Sequence, residues 1–129
     1  MHREVIEVPG ISDASRSRGV PISAAVRAGG FVFVSGMPPI DLEGGGFARG
    51  SIAEQTERCL RNLSFALGEA GSSLEKICMV RVYSSAEHYA AINEVYRRFF
   101  PVEPPARTFV PVGAWPFEFD IEIDCVAIA

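Results

Sequence analysis

From Ser51 to Gly71 the apolar positions Ile52, Cys59, Leu60, Leu63, Leu67 and Ala70, with Thr56 among them, recur at three- and four-residue spacing. That period lines one face of a helix. Ser51 with Glu54 three residues later reads as a capping box, and Gly71 as the C-terminal stop. A second helical stripe, Tyr89, Ile92, Tyr96 and Phe99, follows Ser85 as candidate cap and ends before Pro101. Residues 77–83, rich in Val, Ile, Met and Tyr, predict a strand buried on both faces. Residues 24–27 and 31–35 predict two strands joined at Gly29-Gly30, a hairpin signal. A short strand over 4–8 precedes them, and strands over 107–112 and 121–128 close the chain. Residues 11–20 are polar, with Ser and Arg interleaved, and read as a loop. So does 36–50, with Pro38-Pro39 and Gly44-Gly45-Gly46. The order β, β, β, α, β, α, β, β predicts an α/β (α+β) fold with helices packed on one face of a mixed sheet.

Composition narrows the class. The chain has 129 residues, 48% hydrophobic and 22% charged, which predicts one domain over 1–129. No apolar run approaches the roughly 20 residues of a membrane helix, and the first residues lack the apolar core of a signal peptide. No membrane partner and a cytoplasmic location are therefore expected. Cys59, Cys78 and Cys125 are odd in number and far apart, each within an apolar pattern, and read as buried thiols in a reducing compartment. His2 and His88 make no convincing metal site with thiols so dispersed. The net charge is −4, with no basic block, which disfavours a nucleic-acid partner.

Two segments carry candidate chemistry. In Pro104-Pro105-Ala106-Arg107-Thr108-Phe109-Val110 an arginine opens an extended run just after a proline pair that no helix tolerates. An unpaired guanidinium in apolar surroundings is costly, so Arg107 calls for an anionic partner. That partner is either a side chain or the carboxylate of a small ligand, which the guanidinium fork grips at two points. Phe109 and Pro111 share the face of Arg107 and can touch whatever it holds. In the last strand Ile121, Ile123, Cys125 and Ala127 share one face, and Glu122, Asp124, Val126 and Ile128 the other. Glu122 and Asp124 either face solvent or pair with arginines, or one of them sits in a pocket with a raised pKa and handles protons. The only tryptophan, in 112–117 near the mouth of the last hairpin, is either a packed turn or one wall of a cleft.

Over nearly its full length the chain resembles the Rid (reactive intermediate deaminase, YjgF-like) family. The resemblance rests on Val32-Phe33-Val34-Ser35-Gly36, then Gln55-Thr56 and Asn62-Leu63. Ala70-Gly71-Ser72-Ser73-Leu74, Val82-Tyr83 and Asn93-Glu94-Val95-Tyr96 follow. Phe99-Phe100, Pro105-Ala106-Arg107 and Ile121-Glu122-Ile123 complete it. No single piece is diagnostic, but their order and spacing together are very specific.

The resemblance implies a chorismate-mutase-like fold: a six-stranded sheet backed by two helices, assembled as a homotrimer with three clefts at the subunit interfaces. It implies hydrolysis of 2-imino and 2-enamino acids to 2-keto acids and ammonia, with no cofactor and no metal. Arg107 matches the arginine that grips the substrate carboxylate, and Glu122 the glutamate that positions or activates water. Ser35, Gly36 and Asn93 match residues around the cleft or supporting it. The chain departs from the family pattern at three positions. Ile22 stands where a tyrosine is common, Met37 where a glutamine is, and Phe109 where the best-known deaminases have cysteine. If all three line the cleft, the pocket beside Arg107 is more apolar than in those relatives. The alternatives are a non-catalytic protein that binds or responds to small keto acids, and a pathway-specific deaminase such as one acting on 2-aminomuconate. A ribonuclease reading is weaker, because the acidic chain lacks a phosphate-binding surface.

Overall fold

The computed structural model describes residues 2–129. Its elements run β1 (Glu4–Ile6), α1 (Ile11–Ser17), β2 (Ala25–Ala28), β3 (Phe31–Met37), α2 (Ile52–Glu69), β4 (Ile77–Ser84), α3 (Tyr89–Phe99), β5 (Ala106–Pro111) and β6 (Ile121–Ile128). The six strands form one sheet in the order β1-β2-β3-β6-β4-β5. All neighbours are antiparallel except β4 and β5, which run parallel. The architecture is mixed α+β with a six-stranded sheet and three helices.

Local chemistry accounts for most boundaries. The backbone N–H of Glu54 donates to Ser51 Oγ, and the Ser51 N–H donates back to the Glu54 carboxylate, which fixes the start of α2. At its end Gly71 takes φ 81°, and the Ser72 N–H reaches back to the Leu67 carbonyl. Gly29 and Gly30, at φ 56° and 82°, supply the two left-handed residues of the β2–β3 turn. Ser85 does not cap α3 directly. A 3₁₀ turn over Ala86–His88 intervenes, and the Ser85 side chain makes no cap hydrogen bond.

Four sequence expectations are corrected. Residues 11–17 form a helix, not a loop. The Val8 N–H donates to Ser12 Oγ and the Gly10 N–H to Asp13 Oδ2, so the serine and aspartate that suggested a loop are caps of a short helix. Ile11 and Ala14, its anchors on the core, are too few to show a period. The last two strands do not form a hairpin, because β4 lies between β5 and β6. Cys59 and Cys125 are buried, whereas Cys78 is exposed. Finally, β4 buries only one face within the chain, through Val80, Val82 and Ser84.

That asymmetry extends across the sheet. Ile121, Ile123, Cys125 and Ala127 lie in one continuous core with Leu60, Leu63 and Leu67 of α2 and Ile92 and Val95 of α3. The opposite face is open. Phe31 and Phe33 are each 43% exposed there and pair with Ile128 and Val126 of β6, while Val5 continues the apolar surface through Val26. Among the described residues, no helix is long and apolar enough to cross a membrane.

Candidate functional site

The sheet divides the candidate residues between its two faces. Glu122 pairs in register with Tyr83, on the open face, while the neighbouring Ile121 and Ile123 point into the core. Arg107 and Phe109 pair with Val80 and Val82, which are fully buried on the helix-covered face. Side chains of paired strand residues share a face. Arg107 on β5, an edge strand, and Glu122 on β6 therefore project to opposite faces of one chain.

Around Glu122 the geometry is specific. Strand β3 slips register against β6 between Val34 and Met37, and Ser35 and Gly36 occupy that irregularity. Ser35 Oγ donates to the Ser23 carbonyl at 2.7 Å, tying the bulge to the segment before β2. A side chain on Gly36 would collide with the Glu122 carboxylate, whose Cδ lies 2.9 Å from the position of a Cβ. The absence of that Cβ lets the carboxylate lie across β3 and line a cavity of ≈ 90 Å³ with Ser35, Gly36 and Ile22. Burial raises the Glu122 pKa above the usual carboxylate range, and the negative charge of Asp124 adds to the effect. Asp124 itself accepts from Arg81 Nε and from the Tyr83 hydroxyl, each at 2.8 Å. The two carboxylates thus take the two roles left open by the sequence: Asp124 is ion-paired, and Glu122 is held in a pocket. Gln55 braces the approach to β6, donating to Asp120 Oδ2 and accepting from the Asp120 N–H, both at 2.9 Å.

Arg107 lies among aromatic rings. Among the described residues it forms no salt bridge, so the side-chain ion pair that the sequence allowed is not made. Its guanidinium carbon instead lies 4.7 Å from the centre of the Tyr96 ring and 5.7 Å from that of Tyr89. The ring faces attract the cation without neutralising it. Phe109 meets Tyr89 edge to face at 5.0 Å, which completes an aromatic cradle. Asn93 lies on the same helical stripe, four residues after Tyr89 and three before Tyr96. Among the described residues, Asn93 Oδ1 and Tyr96 Oη are buried polar atoms with no hydrogen-bond partner. Burial pushes the Tyr96 hydroxyl up to about 12, against the pull of Arg107, so it remains a donor at neutral pH.

The structure therefore gathers Ser35, Gly36, Ile22 and Glu122 in one cluster and Arg107, Phe109 and Asn93 in another. It does not bring the two together within one chain. Met37, 1% exposed, is a core residue that lines the Glu122 cavity from the core side, so of the three departures Ile22 and Met37 meet at this cavity and Phe109 does not. Sequence reasoning read Tyr89 and Tyr96 only as a core stripe. Their hydroxyls, spaced around Asn93, were the signal that this stripe is not purely apolar. Phe47, Phe117 and Phe119, which wall the Glu122 cavity, lie in loops where no periodicity marks them. Trp115 packs against Phe119 at 5.1 Å between ring centres, in the crossing segment after β5. Among the described residues, no group of three or more His, Cys, Asp or Glu side chains could hold a metal.

The close approach at Gly36 yields a test. Gly36→Ala forces the Glu122 carboxylate or the bulge to move, at a cost of about 1–3 kcal/mol in stability. Whatever chemistry depends on Glu122 is expected to fall at least about tenfold, the penalty of misplacing a reacting group. Thermal unfolding and steady-state kinetics on purified protein measure both. Unchanged values would mean that the carboxylate position is not constrained by this contact.

Comparison with known proteins identifies the family and matches the fold. A family model described as Endoribonuclease L-PSP matches residues 16–129. The chain is 41% identical to a RutC family protein of Pyrococcus abyssi over 108 residues, covering 83% of this chain and 85% of the relative. It is 32% identical to Reactive Intermediate Deaminase A, chloroplastic, of Arabidopsis thaliana, covering 83% of this chain and 58% of that one. Among solved structures, the Rid-family protein YyfA of Yersinia pestis superposes with a TM-score of 0.89 at 28% identity, covering 99% of this chain and 100% of that one. Escherichia coli TdcF with bound serine superposes at 0.78 with 29% identity, covering 84% and 88%.

Proposed function

The chain belongs to the L-PSP (YjgF/Rid) family, and from that premise we propose that it is a hydrolytic deaminase of 2-imino and 2-enamino acids. The products are a 2-keto acid and ammonia, and the reaction takes place in clefts shared between three copies of the chain. The observation that carries this reading is the division of the site. A guanidinium without an ion pair lies on one face at the sheet edge, and a carboxyl with a raised pKa lies on the other. Neither cluster alone suits an imino acid, which offers one carboxylate and one electrophilic carbon. A substrate that touches both needs Arg107 from one copy and Glu122 from another. The open apolar face around Phe31 and Phe33 supports self-association, since a patch of this kind on an isolated chain marks an interface. The names of two relatives point the same way, one a Reactive Intermediate Deaminase and the other a protein with bound serine, a small carboxylate.

The chemistry follows from the two clusters. Arg107 holds the substrate carboxylate through its fork, and the Tyr89 and Tyr96 rings fix the plane of that fork. Asn93 and the Tyr96 hydroxyl offer further polar contacts beside it. Glu122 accepts a proton as water adds to the imine carbon, and the C=N electron pair moves onto nitrogen. The same carboxyl then returns that proton to nitrogen, giving the neutral carbinolamine; it next takes the hydroxyl proton and passes it to the amino nitrogen, so that the C=O bond forms as the C–N bond breaks and the nitrogen leaves as ammonia. An enamine enters the same path once its β-carbon is protonated. A raised pKa suits a group that must take and give a proton near neutrality.

The test is direct. Imines generated in place by an amino-acid oxidase should disappear faster, with faster ammonia release, when the protein is added. Light scattering should give three times the mass of the 129-residue chain. Keto-acid binding without faster ammonia release would leave a carboxylate-binding protein in place of an enzyme. A cytoplasmic location belongs to the same proposal. It fits the free, buried Cys59 and Cys125, and cell fractionation tests it.

A further inference from the structure

The Glu122 cavity continues past the candidate site into a wall of aromatic rings. Phe47 meets Phe119 edge to face at 4.9 Å between centres, and Phe117 stacks on Phe119 at 6.2 Å. Ile11 and Ile40 close the cavity from the core side, and Ile22, 50% exposed, forms its outer lip. Phe117 is 40% exposed, so the wall presents apolar surface that the chain itself leaves in water. Arg18, a cation that lines the cavity, lies with its guanidinium carbon 4.5 Å from the Phe47 ring centre. It donates to the Ala14 carbonyl at 3.4 Å and, among the described residues, pairs with no carboxylate. This wall is separate from Phe109, which belongs to the Arg107 cluster on the other face.

We infer that this aromatic extension is the side-chain subsite of the enzyme, and that its substrates are 2-imino acids with a branched aliphatic or aromatic side chain. The inference rests on the deaminase reading above and names its substrate class. A substrate whose imine carbon sits beside Glu122 has its side chain next to the same cavity, because Ser35, Gly36 and Glu122 are common to both. Three close-packed rings form a rigid wall, so little ordering is needed when an apolar group covers it. Each buried methylene is worth roughly fourfold in affinity. A small imine such as that of alanine leaves the wall in water and gains none of this. Arg18 caps Phe47 from outside; its role is to hold the ring, and a distal carboxylate on the substrate is not required.

The test uses two readouts, so that failure of the subsite and failure of the deaminase reading are distinguishable. The first is kcat/KM for imines made in place from alanine, leucine, phenylalanine and glutamate. The second is calorimetric binding of the matching 2-keto acids, which needs no turnover. The native protein should favour the leucine and phenylalanine compounds over the alanine compound by at least about tenfold in both readouts. Phe117→Ala should remove most of that preference, lowering the leucine and phenylalanine compounds several-fold more than the alanine compound, while Phe117→Leu restores it. Arg18→Met should keep the apolar preference. Four results would overturn the inference: preference for the alanine compound, an equal loss for every compound in Phe117→Ala, no rescue by Phe117→Leu, or preference for the glutamate compound that Arg18→Met abolishes. Binding preference in the expected order with no turnover of any imine would keep the subsite and remove the deaminase reading.

Discussion

Arg107→Ala is expected to fold and associate as the native chain does, yet to lose small 2-keto acids such as pyruvate. Among the described residues the side chain makes no ion pair, so its removal strands no paired carboxylate. What it leaves behind are two tyrosine rings and Phe109, which tolerate contact with water or with one another. That distinguishes it from an arginine that neutralises an internal charge, whose removal typically costs 3–5 kcal/mol. The loss in ligand binding is larger than the loss in stability. Charge-assisted hydrogen bonds to a carboxylate contribute about 3 kcal/mol together, on the order of a hundredfold in affinity. Arg107→Lys should recover little, since an ammonium has neither the fork nor the flat face that lies against Tyr96. Titration calorimetry with pyruvate reads the affinity, and thermal unfolding reads the fold. Normal binding by the alanine variant would place the carboxylate elsewhere, and an unfolded variant would make Arg107 structural after all.

Glu122→Gln is expected to lower kcat by about a hundredfold or more, the usual contribution of a positioned general acid–base, with a much smaller change in keto-acid affinity. Its pH behaviour separates a proton handler from a packing residue. Burial raises the folded pKa of Glu122 above its ordinary 4.5. The native kcat should therefore fall as pH drops through an inflection above 4.5, where the base takes up its proton, and the glutamine variant should lack that inflection. Stability moves in the opposite sense. A raised carboxyl pKa favours the folded state fully below 4.5, and that contribution is lost as pH rises through the folded value. At neutral pH the native chain bears the cost of a half-buried charge that glutamine does not. The variant should then be at least as stable as the native protein at neutral pH, with the difference narrowing in acid. Equal rates in the two proteins would demote Glu122 to a structural residue.

Much of this was legible in the sequence because the relevant signals are local. The Ser51–Glu54 box, the Gly71 stop and the Gly29-Gly30 turn act over a few residues, and each appears where the sequence placed it. The alternation in β6 set Ile121 and Ile123 on one face and Glu122 on the other for the same reason, and the fold buries the first of those faces. The elements that escaped depend on long-range packing. Helix α1 is held by caps from Ser12 and Asp13 and by two anchors on the core, which leaves no period to read. The insertion of β4 between β5 and β6 is a matter of topology, and no spacing along the chain specifies it.

The site follows the same division. Arg107 and Glu122 stood out because a charge in an apolar strand is costly, which is a one-residue argument. Their placement on opposite faces depends on pairing through β4, which lies between their two strands in the sheet, and only the register reveals it. Three substitutions, at Ile22, Met37 and Phe109, looked from the sequence like one apolar pocket. In the fold Ile22 and Met37 line the Glu122 cavity, one at its lip and the other from the core, while Phe109 lies beside Arg107 on the other face. The rest of the apolar wall near Glu122 comes from Phe47, Phe117 and Phe119, whose loops carry no periodic signature.

The central claim is that one copy supplies Arg107 and another supplies Glu122, and a mixing experiment tests it most directly. Arg107→Ala and Glu122→Gln chains, each inactive alone, are unfolded together at equal amounts and refolded into mixed assemblies. If the cleft is shared between neighbours, a random mixture in a closed three-fold ring restores both residues in roughly a quarter of the clefts, and about a quarter of native activity returns. If both residues act within one chain, no mixed assembly contains a complete site. Activity would then stay at the sum of the two residual rates, and that result would contradict the account.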